Sequence, residues 1–272
     1  MLTGLESIVV EVDDLAAAIR DFGQLLGRAP AARRSTGAGR DAAAGDDPAA
    51  GDGGDVTFAL ANVRLDLRET MGSAARSARG DGGGIAAIRL RLAPGAEARG
   101  RAVGAIASPT VPIALVSAAS ASERLAPTGF DVAEREPAGR ITGLDHIVIV
   151  SADPERTGRF LGESLGIRLA LDRCLPERGL RLMFFRLGGV TLEVASALAE
   201  APPSPAVDAF HGLAWRVAGL DRLHARLVGA GFRLSPIRPG HKPGTRVCTV
   251  LAPVHGVPTL LIEPLAPPAG EA

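Results

Sequence analysis

Residues 143–166 read GLDHIVIVSADPERTGRFLGESLG. The run His146-Ile147-Val148-Ile149-Val150 is β-branched, and its alternation predicts a strand with His146, Val148 and Val150 on one face. Ile147 and Ile149 then point towards whatever covers the sheet. A helix start follows: Asp153 can cap, Pro154 suits the first helical position, and Glu155 complements the positive helix end. Phe160, Leu161 and Leu165 form its apolar stripe, and Gly166 is a natural stop. A histidine on the strand face away from the helix is positioned to look into a cavity.

Working outward, Arg181–Leu187, Gly188-Gly189 and Val190–Val194 read as a hairpin with a Gly-Gly turn. In its second strand Val190, Leu192 and Val194 alternate with Thr191 and Glu193. A carboxylate in an apolar strand is costly unless it is paired or bound to a cation. The whole is a strand-helix-strand-strand-strand unit, with His146 in its first strand and Glu193 in its last.

The same unit recurs. Ser7–Leu15 repeats the opening, with Ser7 at the place of His146 and Asp14 at that of Asp153, and Val56–Leu67 repeats the hairpin, with Asp66 at the place of Glu193. Leu15, Ile19, Phe22 and Leu26 give this copy its helical stripe, ended by Gly27. Residues 33–55, rich in Gly, Ala and Asp, are expected to form a mobile insertion, with a lid as the functional alternative. A second unit begins at Ile85–Leu92, loses its helix to Pro94, Gly95 and Gly100, and closes with Val111–Val116. Residues 117–140 read as a linker. A fourth unit opens with Gly212–Val217, carries a helix over Asp221–Val228, and ends in strands at Phe232–Ser235, Thr245–Val250 and Thr259–Glu263. The expected fold is α+β: four βαβββ units in two modules, residues 1–116 (reduced) and 141–266.

The chain has 272 residues, 46% hydrophobic and 22% charged, enough for a sizeable core. Thirty Lys and Arg balance thirty Asp and Glu, so no global field draws it to nucleic acid or an anionic membrane. No apolar run is long enough to span a bilayer, and acidic residues within the first apolar run argue against a signal peptide. Two cysteines, Cys174 and Cys248, make no disulfide framework, which fits a cytoplasmic location. Tyrosine is absent, which removes one common general acid.

The segments GLDHIVIVSADPE, GGVTLEV, GLAWRV and HGVPTLLIEP resemble the vicinal oxygen chelate superfamily, which includes glyoxalase I, bleomycin-resistance proteins and extradiol dioxygenases. The resemblance implies that paired units form a curved sheet whose concave face holds a divalent metal or an organic ligand. Metal ligands in such proteins come from the first and last strands of each unit, which maps His146 and Glu193 onto two ligand positions. In the fourth unit Gly212 falls on the first position and His211 one residue early, so His211 reaches the face only after a bulge. Counting from Gly256 puts Leu260 on the second position, and Glu263 reaches it only if Pro258 distorts the strand. The candidate metal set is therefore His146, Glu193, Glu263 and His211, with Glu193 or Glu263 as proton-moving groups. The structural alternatives are a hydrogen-bonded His146–Glu193 pair and an exposed strand end at Glu263. Lys242 and Arg246 are candidates to hold a carboxylate or phosphate at the cavity mouth, and Trp215 to face the cleft, against a solvated hairpin and a core tryptophan.

Three functions follow from the resemblance. The leading one is a glyoxalase-type lyase or isomerase using Zn, Ni, Mn, Co or Fe as Lewis acid on a small oxygen-rich molecule, with no organic cofactor. The others are a metal-free protein that sequesters a small molecule and an extradiol-type dioxygenase. The expected assembly is a monomer or homodimer without nucleic acid or membrane partners.

Overall fold

The computed structural model describes residues 1–33, 55–70, 84–96, 104–117, 139–198 and 208–265. The expected mobile insertion and the linker lie, apart from their end residues, outside this set. The N-terminal module contains β1 (Leu2–Val12), α1 (Leu15–Leu26), β2 (Ala32–Arg33), β3 (Val56–Ala59), β4 (Arg64–Glu69), β5 (Gly84–Leu92), β6 (Gly104–Ala105) and β7 (Ile113–Val116). Its sheet order is β2-β3-β4-β1-β5-β7-β6. The stretch between β5 and β6, where its second unit would carry a helix, lies outside the described residues beyond Ala96.

The C-terminal module opens with β8 (Arg140–Val150), α2 (Pro154–Arg159), β9 (Arg168–Leu175), β10 (Leu180–Leu187) and β11 (Val190–Ala197). It continues with β12 (Ala209–Ala218), α3 (Leu220–Gly229), β13 (Arg233–Leu234), β14 (Arg238–Pro239), β15 (Thr245–Ala252) and β16 (Thr259–Pro264). The strands order as β13-β15-β16-β12-β8-β11-β10-β9, with β14 beside β15. In every unit the first strand runs parallel to the last, and β8 meets β12 antiparallel as β1 meets β5. Each module is thus two units related by an approximate twofold axis.

Local chemistry starts and stops the helices as the sequence predicts. Asp14 Oδ1 accepts from the Ala17 amide at 2.8 Å and Asp153 Oδ1 from the Arg156 amide at 2.9 Å. Gly27 and Gly166 end their helices at φ 67° and 70°. Beyond Arg159 helix α2 widens into a π-helical turn over Phe160–Ser164. Ile147 and Ile149 are fully buried beneath the helices, whereas His146 and Val148 are only half-buried on the opposite face.

One apolar cluster runs through both modules, so they share a core. Hairpin turns stitch them together. From the β3–β4 turn, the Asn62 amide donates to Leu144 O at 2.8 Å and accepts from Leu144 N at 2.9 Å. A Cβ on Gly143 would lie 2.6 Å from Asn62 Oδ1, so that approach requires glycine. The reciprocal turn, at Gly188, presses on β1, where an added Cβ would come 2.5 Å from Thr3 O.

Candidate functional site

The site begins with an irregularity in β8. Leu144 pairs with Trp215 and His146 with Ala214 across to β12, which leaves Asp145 as an extra residue, a β-bulge. The bulge brings two consecutive side chains together: Asp145 Oδ1 lies 2.9 Å from His146 Nδ1, and Arg216 Nη2 donates to Asp145 Oδ2 at 3.3 Å. The hydrogen bond from His146 holds the Asp145 carboxyl below its ordinary pKa despite burial, with the charges of His146 and Arg216 adding to the effect. An ionised carboxylate only accepts, so His146 Nδ1 carries the proton and Nε2 faces the concave side.

Nε2 points to Glu193 Oε2 at 3.7 Å, beyond hydrogen-bond reach. Glu193 comes from β11, opposite Val148, on the face that Thr191 shares with His146. Burial pushes the Glu193 carboxyl above its ordinary pKa; the charge of His146 opposes this and that of Asp145 reinforces it. Phe184 of β10 lies opposite Glu193, and Leu171 of β9 opposite Phe184. Val150 and Leu171 are 45% and 49% exposed, so this half of the cup offers uncovered apolar surface around one imidazole and one carboxylate. At its base Arg186 Nη1 donates to Thr191 Oγ1 at 2.7 Å.

Among the described residues, the other half contributes no third donor. His211 is the extra residue of a second bulge, between the Phe210–Ile149 and Gly212–Val148 pairs, and it is exposed. Gly212 cannot carry a side chain, because its Cβ would lie 2.4 Å from Pro258 O. On β16, Leu260 and Ile262 pair with Ala214 and Arg216 and share the concave face, while Glu263 belongs to the opposite one. There Glu263 Oε1 accepts from the amides of Gly219 and Leu220 at 2.7 and 3.0 Å, capping α3. Arg246 joins its Oε2 at 2.6 Å and reaches Asp221 at the same distance. Glu263 and Arg246 are brought together as a helix cap, away from His146. Trp215 is 0% exposed and packs in the core rather than the cleft, and Lys242 is exposed in the β14–β15 loop.

Asp145 and Arg216 escape a reading based on strict alternation, yet the sequence carries a signal for them. The N-terminal module has the same bulge: Leu5 pairs with Leu90 and Ser7 with Arg89, leaving Glu6 extra. Arg91 then binds Glu6 at 2.7 Å as Arg216 binds Asp145. In that module the face is filled by its own ion pairs. Arg89, at the place of Ala214, reaches Asp66 at 3.0 Å and Ser7 Oγ at 3.3 Å, and Arg64 meets Glu6 at 3.2 Å.

The donor set does not complete a metal centre. Catalytic zinc sites use three protein ligands, and no group of three His, Cys, Asp or Glu side chains converges among the described residues. His146 and Glu193 supply two, with Asp145 placed behind the imidazole as second-layer carboxylates are in metal sites.

Residues 145–249 match the model of the glyoxalase/bleomycin resistance protein/dioxygenase superfamily. No curated protein matches the sequence. A variant of 4-hydroxymandelate synthase from Streptomyces coelicolor superposes over 97% of this chain and 93% of its own, at 14% identity and a TM-score of 0.67. A halotolerant catechol dioxygenase covers 97% of this chain and 87% of its own, at 13% identity and a TM-score of 0.60. Both likenesses concern the fold, across both modules. Methylmalonyl-CoA epimerase from Mycobacterium tuberculosis matches 47% of this chain and 90% of its own, at 27% identity and a TM-score of 0.39.

Proposed function

The chain belongs, through residues 145–249, to the glyoxalase/bleomycin resistance protein/dioxygenase superfamily, and we propose that its C-terminal cup is the active site of an acid–base lyase or isomerase. The observation that carries this reading is the 3.7 Å gap between His146 Nε2 and Glu193 Oε2. Neither group satisfies the other, so a reacting group that settles over the pair meets both. Glu193, with its raised pKa, is the base that takes a proton from a carbon next to a carbonyl. His146, oriented by Asp145, presents Nε2 to the oxygen on which charge develops; as the imidazolium it donates the Nε2 proton there and takes it back when the carbonyl re-forms. Val148, Val150, Phe184 and Leu171 exclude water from the apolar part of a small oxygen-rich substrate. Two donors alone bind a divalent ion weakly, and the acid–base pair works through its own protons.

The test is proton exchange. A panel of small oxo acids, hydroxy ketones and activated esters is incubated with the protein in D2O, and deuterium incorporation is followed by NMR. At least one compound exchanges with the wild type, and Glu193→Gln slows that exchange about 100-fold or more. Exchange that survives Glu193→Gln refutes the assignment. So does stoichiometric uptake of Zn, Ni, Mn, Co or Fe that His146→Ala abolishes, because the pair is then a metal half-site. Saturable binding of apolar compounds without exchange identifies a sequestering protein instead.

A further inference from the structure

The two outer loops of the C-terminal sheet meet. Arg178, in the turn between β9 and β10, lies 2.8 Å from His241 Nε2 through Nη1 and 3.3 Å from Nδ1 through Nη2. His241 belongs to the loop between β14 and β15. These loops are equivalent under the twofold axis of the module and sit at opposite ends of its sheet. Contact between opposite ends of a curved sheet spans its concave side, so the two loops arch over the cup whose floor is the His146–Ala214 pair.

The chemistry of this arch is one-sided. A neutral imidazole has one acceptor nitrogen, so it satisfies only one arm of the Arg178 fork. Arg238 acts on the same ring by charge, and Lys242 follows it in the chain. No described carboxylate forms an ion pair with Arg178, Arg238 or Lys242. The acidic groups of neighbouring strands and helices are committed elsewhere: Asp172 and Glu155 to Arg181, Asp221 and Glu263 to Arg246. Glu177, one residue before Arg178, is exposed and bonds none of the four. The loop carrying His241 is held in shape by Gly240 N donating to Thr245 O at 2.9 Å and Thr245 Oγ1 donating to Lys242 O at 2.6 Å.

We propose that Arg178, Arg238, His241 and Lys242 form an anion subsite at the mouth of the cup, which takes a phosphate or diphosphate group of the bound molecule. One carboxylate needs one such partner, whereas cationic donors on two loops that touch at Arg178 and His241 suit a multiply charged group, and guanidinium forks match phosphate oxygens. The inference rests on the cup being the ligand site and names the chemistry of one end of the ligand.

Inorganic pyrophosphate is the probe. The full chain is titrated at low ionic strength by calorimetry, and the His241 ring is followed by NMR. Saturable one-to-one binding is expected, with the His241 pKa rising on binding because a nearby anion favours the imidazolium. Arg178→Ala and Lys242→Ala each weaken binding about tenfold or more, while Arg159→Ala, an exposed arginine of α2, leaves it unchanged. Absence of saturable binding overturns the proposal, as does equal weakening by Arg159→Ala or an unresponsive His241. His146→Ala retains pyrophosphate binding, so failure of the exchange chemistry and failure of the anion subsite are read separately.

Discussion

Replacing Glu263 separates a helix cap from a metal ligand. The carboxylate accepts two amide hydrogens at the start of α3 and pairs with Arg246, and its side chain is 13% exposed. Loss of an N-cap costs about 0.5–2 kcal/mol, and loss of hydrogen bonds to a charged group about 1.5–3 kcal/mol. With partial replacement by water, Glu263→Ala is expected to destabilise the protein by about 2–4 kcal/mol. Glu263→Gln keeps an acceptor for the amides and loses only the charge, so it costs about 1–2 kcal/mol. In thermal unfolding Glu263→Ala lowers Tm by about 5–15 °C. The pH dependence follows from the pKa. Burial pushes the Glu263 carboxyl up, but hydrogen bonds from Arg246 and from the Leu220 and Gly219 amides outweigh it and leave the value below the ordinary one. A depressed carboxyl stabilises the fold above its unfolded pKa, and that stability is lost as pH falls through the folded value. The gap between wild type and Glu263→Gln therefore closes in acid. Urea unfolding followed by circular dichroism, from neutral to acid pH, measures all of this. A fully stable Glu263→Ala that loses metal or ligand binding would falsify the cap assignment.

Glu193→Gln should behave in the opposite way. The raised carboxyl favours the fold below its unfolded pKa, and that contribution vanishes as pH rises through the folded value. The variant is expected to be more stable than wild type at neutral pH and equal to it in acid; a loss of stability at neutral pH would show that the Glu193 charge is held by a partner. Gly212→Ala forces a Cβ against Pro258 O and should cost about 1–3 kcal/mol in urea unfolding. Full stability there would mean that β16 yields easily, reopening that position to a ligand side chain.

Much of the fold was legible because each unit spells its own boundaries. Alternation in His146–Val150, the Asp153-Pro154 start, the Gly166 stop and the Gly188-Gly189 turn all act locally, and their recurrence gave the pairing. The juxtaposition of His146 and Glu193 followed from the same period of two. Bulges break that period, which is why Asp145 went unread although Glu6 precedes Ser7 in the equivalent place. Register after Pro258 is set by pairing with Trp215 and Leu213, information absent from the strand itself, so counting could place Leu260 but not decide what Glu263 does. Trp215 resolved to the core because Gly212, Ala214 and Arg216 share the other face of its strand.

The burial of Trp215 has an optical consequence. It is the single tryptophan of a chain without tyrosine, enclosed at 0% exposure in β12. Its emission reports on one location only, the interior of the C-terminal sheet beneath the cup. A ligand settling on the concave side meets Ala214 and Arg216, not the indole, and leaves the emission almost unchanged, whereas opening of that sheet shifts it to the red. If the N-terminal module opened first, fluorescence would stay silent while circular dichroism fell. The lag between the two signals therefore measures how far the shared core makes the two halves melt as one.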